Sequence, residues 1–400
     1  MDPARQRSFP RGFGVIWTTV AIDLIGFGIV APILPLYAER FGASGLTIGL
    51  LFASFSLAQF VFAPILGRLS DRIGRKPVIL LSLFGTAVGS FVTAAAGSLL
   101  LVFVGRIIDG ASGASVSVAQ GAVADVAAPA DRARLLGMLG AAFGVGFVVG
   151  PAVGSLAALG GAHVPFYVAG SIALVNGLVA IVRLPETHTT RGQAALDRPA
   201  GPAVPAIGRA TVLVRLAVVG FLVTSAFSGF EATFALFADR RFGLTEASVA
   251  AVFVGVGLVL VAVQGGLVGR LSNRLGVIRT VQCAIVLNIV GMALLALATT
   301  WFVLVPALAC LTVGQGLAVP SITALVVERS PVARRGEALG FQQSASALAR
   351  IGGPALGGVL FDHAGVPWPY VAATVLLGVA LAALCGSGFL APEGLATELP

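Results

Sequence analysis

The sequence GRLSDRIGRKPV runs from Gly67 to Val78. Five charged residues fall within nine of its positions, and long runs without charge lie on either side. A near copy, GRLSNRLGVIRT, begins at Gly269, 202 residues further along the chain. A charged turn that occurs twice between apolar runs indicates two similar halves, each with a polar loop at the same place.

Composition predicts that lipid is the solvent of most of this chain. The 400 residues are 57% hydrophobic and only 10% charged, whereas soluble domains carry about 25% charged residues. The net charge is +8, but the basic residues sit in short clusters between apolar runs, so no nucleic-acid partner is expected. The three cysteines and three histidines lack the spacing of a disulfide framework or a metal site, so no metal and no cofactor are expected.

Twelve apolar runs are long enough to cross a membrane as helices, because about 20 residues span the roughly 30 Å hydrocarbon core. They cover residues 13–37, 46–68, 77–97, 99–122, 133–157, 164–184, 212–237, 246–269, 277–298, 301–327, 336–359 and 366–391, and are called runs 1 to 12. Of the 25 basic residues, 20 fall on one side of these runs, which predicts that this side and both termini are cytoplasmic.

The runs fall into two halves. A polar, proline-bearing segment separates run 6 from run 7, so we expect an N-terminal six-helix bundle over 1–185, a cytoplasmic linker over 186–211 and a C-terminal six-helix bundle over 212–400. GFVVGPAVGSL in run 5 is echoed by ARIGGPALGGVL in run 11, which supports a parallel repeat. The predicted fold class is an all-α membrane protein with twelve transmembrane helices in two six-helix parallel-repeat bundles.

The charged turn resembles the signature of the major facilitator superfamily of transporters. The matching positions are Gly67, Asp71, Arg72, Gly74, Arg75 and Lys76. IDLIGFGIVAPILPLY in run 1, VGRIIDGASGA in run 4 and GAAFGVGFVVGPAVGS in run 5 are similar to patterns of the twelve-span drug:proton antiporters, the tetracycline-efflux proteins among them. The resemblance implies a monomeric carrier in a bacterial inner membrane, without enzymatic activity, that uses protons to export small lipophilic drugs by alternating access.

The resemblance also implies that the charged turn latches the cytoplasmic face shut. Asp71 is then expected to cap the helix that starts run 11, or to pair with Arg334 or Arg335 there, since an anion beside a helix N-terminus is favourable. Charges that only set the topology are the alternative interpretation. Asn273 stands in place of the aspartate in the second copy, so a latch there is expected to be weaker.

Run 5 carries the stretch that resembles the antiporter motif. Its matching residues are Gly146, Gly150, Pro151 and Gly154. Small residues four apart let helix backbones approach closely, and proline permits a bend. Tight packing and a gate or hinge are both consistent with this pattern, and a role in the direction of transport is implied by the resemblance alone.

Ionisable residues inside the apolar runs are the strongest functional candidates, because a charge in the bilayer costs at least a few kcal/mol. Asp23 falls about 15 Å into run 1, at about 1.5 Å per residue. Apolar surroundings favour the neutral form of a carboxylic acid, so Asp23 is the candidate proton or substrate site, with a structural hydrogen bond as the alternative. Arg106 and Asp109 share one face of run 4 and form either a local salt bridge or part of the proton-coupling site.

Glu231 in run 7 is the candidate for binding cationic substrates or a proton, and pairing with Arg350 of run 11 is the alternative. Other polar residues that either line a cavity or bond one helix to another are Gln59, Gln264, Asn288, Gln315, Gln342 and Arg350.

Two other classes of function remain open from the sequence. An exporter or symporter of a sugar or amino-acid-like metabolite needs a dense set of hydrogen-bonding groups, which the runs do not show. A membrane receptor or scaffold without transport would not require the turn, the span-embedded carboxylates and the glycines of run 5 together. A membrane enzyme is not expected, because neither GxSxG nor HExxH occurs.

Overall fold

A computed structural model describes residues 9–10, 12–127, 132–187, 207–330 and 335–385. Within these ranges the regular structure is entirely helical. Ten helices there are long and apolar enough to cross a membrane, and a shorter apolar helix covers Gly144–Ala158. The all-helical membrane architecture is therefore confirmed, whereas the count of twelve spans and the parallel repeat stay predictions.

The described part of the first half of the chain forms eight helices. They are α1 (Phe13–Val30), α2 (Leu34–Glu39), α3 (Gly45–Ile73), α4 (Arg75–Ala94), α5 (Leu99–Ser112), α6 (Ser115–Val126), α7 (Arg132–Ala158) and α8 (Val164–Arg183). Two runs expected as single helices are interrupted. Run 1 breaks between α1 and α2 at Pro32, because proline lacks the N–H that would continue the hydrogen-bond ladder. Run 4 breaks between α5 and α6 at Gly113 and Ala114.

The second half of the described chain forms seven α-helices. They are α9 (Ile207–Phe242), α10 (Glu246–Ala262), α11 (Val268–Leu275), α12 (Val277–Leu297), α13 (Trp301–Arg329), α14 (Arg335–His363) and α15 (Trp368–Cys385). A π-helix over Val263–Leu267 joins α10 to α11, so run 8 carries a local change of helix type. The helix α9 begins at Ile207, before the expected start of run 7 at residue 212.

The chain divides into two compact units. Unit 1 comprises Met1–Ala43, Leu51–Gly201 and Gly243–Gly257, and unit 2 comprises Ser44–Leu50, Pro202–Phe242 and Leu258–Pro400. In unit 1, α1 packs on α7 and α8, and α4 packs on α5 and α8. In unit 2, α9 packs on α14 and α15, and α12 packs on α13 and α15. The first turns of α3 thus belong to unit 2, and most of α10 belongs to unit 1.

Candidate functional site

The candidate proton site of unit 1 is built from α1, α5 and α6. The Ser115 hydroxyl, at the start of α6, donates a hydrogen bond to Oδ2 of Asp23 on α1. Asp109 on α5 lies close enough to Asp23 for their charges to interact. The Nη1 of Arg106 donates to Oδ2 of Asp109 at 2.8 Å. Three ionisable side chains predicted from the sequence are therefore brought together, with Ser115 as a fourth polar partner.

Arg106 is held by a carboxylate on one side and by an aromatic ring on the other. Its Cζ lies 4.3 Å from the centroid of the Phe55 ring, an arrangement in which the ring face attracts the cation. The residue is only 3% exposed, and its Nε has no hydrogen-bond partner among the described residues. A buried donor left unpaired costs about 1–3 kcal/mol, so Arg106 keeps the capacity to bind one more acceptor.

The candidate substrate residue of unit 2 is on an accessible face of α9. Between residues 223 and 238, only Thr224, Phe227 and Glu231 are not fully buried. Their spacing of three and then four residues places them on one side of the helix. Within the described parts of the chain, Glu231 forms neither a hydrogen bond nor an ion pair.

Arg350 on α14 is the charged neighbour of Glu231 but does not bind it directly. The two side chains interact electrostatically, yet among the described residues no Arg350 nitrogen lies within 4.0 Å of a Glu231 carboxylate oxygen. The Ser228 hydroxyl donates to the carbonyl oxygen of Ala349 at 3.2 Å, which fixes α9 against α14 beside these charges. The direct pair that the sequence left open is therefore absent.

The other polar candidates divide into bonded and unbonded groups. The Gln59 Nε2 donates to the carbonyl oxygen of Gly113 at 2.8 Å, so this side chain bonds α3 to the end of α5. Asn288 on α12 is buried, and both polar atoms of its amide lack a partner in the described ranges. Gln315 on α13 is also buried, with its Oε1 unpaired among the same residues. The remaining two, Gln264 and Gln342, are exposed and partly exposed, respectively.

In the structure the charged turn comprises the last turns of α3 and the start of α4, with only Gly74 outside a helix, and it forms a network centred on Arg75. Its Nη1 lies 2.6 Å from Oδ1 of Asp71, and its Nε lies 2.9 Å from Oδ2 of Asp125 at the end of α6. Nη1 also donates to the Ser70 hydroxyl at 2.7 Å. The structure therefore pairs Asp71 within its own turn, while Arg334 lies outside the described residues and nothing is described of the Arg335 side chain. The latch onto run 11 stays a prediction.

A second carboxylate holds the start of α4. Glu186, after α8, accepts hydrogen bonds from the backbone N–H groups of Arg75 and Lys76, at 2.9 and 3.2 Å. These are among the N–H groups that a helix leaves unpaired at its start. Gly74, at φ +103°, adopts a conformation that disfavours other residues, and a Cβ there would overlap the Glu186 carboxylate. Of the remaining motif residues, Arg72 is exposed and Gly67 has open space where a Cβ would be.

The glycines of run 5 allow α7 to pack against α1 without intervening side chains. A Cβ on Gly150 would lie 2.6 Å from the Cα of Gly28, and a Cβ on Gly146 would lie 2.7 Å from the carbonyl oxygen of Leu24. A Cβ on Gly154 would lie 3.1 Å from the Ile33 side chain. Pro151 lies inside α7 and is buried. The predicted close approach is present, and its partner is the helix that carries Asp23.

Two polar contacts, called the two ties below, join helix ends that are far from the charged turn. The Asp362 carboxylate at the end of α14 accepts from the N–H groups of Gly45 and Leu46, each at 2.7 Å, and so caps α3 within unit 2. The Arg40 Nη2 lies 2.6 Å from Oε1 of Glu246 within unit 1. Because α3 begins at Gly45 and ends at the charged turn, both ties are at the opposite helix ends.

Comparison with known proteins assigns the family. A model of the Major Facilitator Superfamily matches residues 16–281 and 255–394. This chain belongs to the major facilitator superfamily. It is similar to "Multidrug resistance protein 2" of Bacillus subtilis (strain 168), at 28% identity over 375 residues that cover 92% of this chain and 93% of that protein. It is also similar to "Tetracycline resistance protein, class G" of Vibrio anguillarum, at 33% identity over 353 residues that cover 84% and 86%.

A solved structure agrees with this assignment. The crystal structure of the human organic anion transporter MFSD10 (TETRAN) matches with a TM-score of 0.71 and 26% identity, covering 96% of this chain and 100% of that chain. The expectation of a multi-pass membrane transporter that resembles drug-efflux proteins, and is not an enzyme, is therefore confirmed.

Several residues that shape the sites of this superfamily member were not singled out from its sequence. Ser115 and Phe55 are an ordinary hydroxyl and an ordinary ring in apolar runs, so no pattern marks them. Asp125, Glu186 and Asp362 do carry a signal, because each is an acidic residue at the end of a run. Only the fold shows which helix start or arginine each of them reaches.

Proposed function

We propose that this transporter exports small lipophilic drugs in exchange for protons, by alternating access. The observation that carries the proposal is the group formed by Asp23, Ser115, Arg106 and Asp109, because proton-exchanging carboxylates in a span are what coupling to protons requires. The similarity to multidrug and tetracycline resistance proteins supports drugs as the cargo.

Asp23 is the group that takes up and releases the coupling proton. When ionised, its carboxylate accepts the Ser115 hydrogen bond; when protonated, it needs no cation beside it. Asp109 is neutralised by its own ion pair with Arg106, which leaves Asp23 without a permanent counter-charge. The unused Nε of Arg106 can bind an acceptor during the cycle. Protons enter from the outer side as drug leaves, and loss of the proton to the cytoplasm resets the carrier.

Alternating access requires that helix ends separate on one side of the membrane and then on the other. With both termini cytoplasmic, the Arg75 network and the Glu186 cap lie on the inner side. The Asp362 cap of α3 and the Arg40–Glu246 pair then lie on the outer side. We propose that these outer ties break when the outer ends separate, and that the Asp71 turn forms its latch to run 11 in that state.

Aromatic rings beside the charged groups favour lipophilic drugs over sugars as cargo. In unit 1 the Phe55 ring packs on Arg106, and its centroid lies 5.9 Å from that of the Phe27 ring. In unit 2, Phe227 shares the accessible face of Glu231. Aromatic side chains bind flat apolar molecules by burying apolar surface and by ring stacking. A metabolite such as a sugar requires many directed hydrogen bonds instead.

Purified protein in sealed liposomes with a pH-sensitive dye inside tests the coupling. Addition of a transported drug should move protons in the wild type and not in Asp23→Asn. Asp239→Asn, the same change at an exposed position on α9, should leave the proton movement intact. Drug movement without any proton movement in the wild type would refute the proposed exchange. Movement of metabolites but not of drugs would favour the alternative cargo.

A further inference from the structure

The accessible face of α9 contains three chemically different groups in one line. Thr224, Phe227 and Glu231 supply a hydroxyl, a ring and a carboxylate, while the other residues from 223 to 238 are buried. The helix belongs to a candidate membrane span, Val212–Phe242. A carboxylate facing lipid would cost at least a few kcal/mol, so this face borders water or a ligand rather than hydrocarbon.

Arg350 on α14 is a positive charge at about the same height along the packed helices as Glu231 on α9. Ser228, one turn before Glu231, is hydrogen-bonded to Ala349, the residue next to Arg350. Gly353 allows this contact, because a Cβ at that position would overlap the backbone of Ser225 and the hydroxyl of Ser228. The helices α9 and α14 are thus fixed side by side, and the two charges are held near each other by backbone packing rather than by their own contact.

The two charged groups interact electrostatically without forming an ion pair with each other. Arg350 is exposed and Glu231 partly exposed, and in the described chain each lacks an ion-pair partner and a hydrogen bond. Two flexible side chains of opposite charge in an apolar span would normally close onto each other, since the attraction grows as the surroundings become less polar. A ligand that carries both charges would satisfy both groups at once.

We propose that Glu231, Arg350, Phe227 and Thr224 form a substrate subsite for amphoteric aromatic molecules, which carry a cationic nitrogen and an acidic group on one ring system. The Glu231 carboxylate binds the cationic nitrogen, and the planar Arg350 guanidinium binds the acidic oxygens in the paired geometry that carboxylates accept. The Phe227 ring packs on the aromatic body of the ligand, and the Thr224 hydroxyl bonds to its polar edge. This inference rests on the proposed drug export and adds the class of drug.

A matched pair of dyes tests the subsite on the purified full-length protein. Rhodamine B carries a cationic ring system and a free carboxylate, whereas its ethyl ester carries the cation alone. Binding is measured by fluorescence anisotropy for the wild type, Glu231→Gln and Arg350→Gln. Arg279→Gln, which removes an exposed arginine on α12, is the matched control.

The wild type should bind the free acid more tightly than the ester by about 10-fold or more, the change that one charge-assisted hydrogen bond gives. Arg350→Gln should remove this preference and leave the affinity for the ester unchanged. Glu231→Gln should weaken both dyes about equally, and Arg279→Gln should match the wild type. A preference for the acid that persists in Arg350→Gln, or its absence in the wild type, overturns the proposal.

Transport measurements separate this proposal from the broader one. If the dyes bind with the expected selectivity but neither is exported under a proton gradient, the export function fails and the subsite stands. If Arg350→Gln changes neither the export rates of the two dyes nor the ratio of their affinities, the proposed subsite is refuted and the export function stands.

Discussion

The contact between α1 and α7 predicts that one added methyl group at Gly150 is damaging. A Cβ there would lie 2.6 Å from the Cα of Gly28, whereas ordinary contacts begin at 3.4 Å, so the two helices must separate by about 0.8 Å. Such overpacking costs about 1–3 kcal/mol. The movement also displaces Asp23 from Ser115, because Asp23 is on the same helix as Gly28. Gly150→Ala should therefore lower the free energy of unfolding by about 1–3 kcal/mol and reduce efflux about 10-fold.

The assay compares two substitutions of the same chemistry. Unfolding in mixed micelles and drug efflux from vesicles are measured for Gly150→Ala and for Gly26→Ala, whose added Cβ would meet no atom within 4 Å. Gly26→Ala should keep both the stability and the efflux of the wild type. If Gly150→Ala behaves like the wild type, or if Gly26→Ala is equally damaging, then close packing of α1 on α7 is not what these glycines provide.

Two further substitutions test the ties at opposite helix ends. Asp71→Asn should reduce transport while the protein stays inserted in the membrane. The free energy of unfolding should fall by less than about 1 kcal/mol, because the Asp71–Arg75 pair is partly exposed and Arg75 keeps its contact with Asp125. An unchanged transport rate would rule out the proposed latch. Asp362→Ala should destabilise the protein by about 0.5–2 kcal/mol through loss of the cap on α3. It should also make a cysteine placed at Ser44 more reactive to a membrane-impermeant thiol reagent in a cysteine-free background, and equal reactivity with and without Asp362 would contradict its role as a tie.

Much of the fold follows from the sequence because lipid imposes one simple rule, that each span satisfies its own backbone hydrogen bonds as a helix. The charged turn, the apolar runs and the glycines of run 5 are therefore visible in the chain itself. The interruptions of runs 1 and 4 depend on how proline and glycine are used locally, and hydropathy does not report this. The interpretation of Arg106 and Asp109 as neighbours came from helix spacing and matches the observed pair.

The partners of the charged groups were harder to predict, because they are distant in the sequence. Spacing did not predict that Ser115 bonds to Asp23, or that Glu186 caps α4. The positions of Glu231 and Arg350 along their runs are consistent with an ion pair. Whether the pair forms depends on the distance between the two charged groups, which the sequence does not give. What the sequence supplies is the inventory of ionisable groups inside the spans, and the fold supplies their grouping.

The most direct test of proton-driven drug export is efflux of a fluorescent lipophilic cation and of tetracycline from cells that produce the wild type or Asp23→Asn at equal levels. The wild type should export both compounds, a protonophore should stop this export, and Asp23→Asn should lack it. Export that continues in the presence of the protonophore, or that is undiminished in Asp23→Asn, would rule out proton-driven export through Asp23.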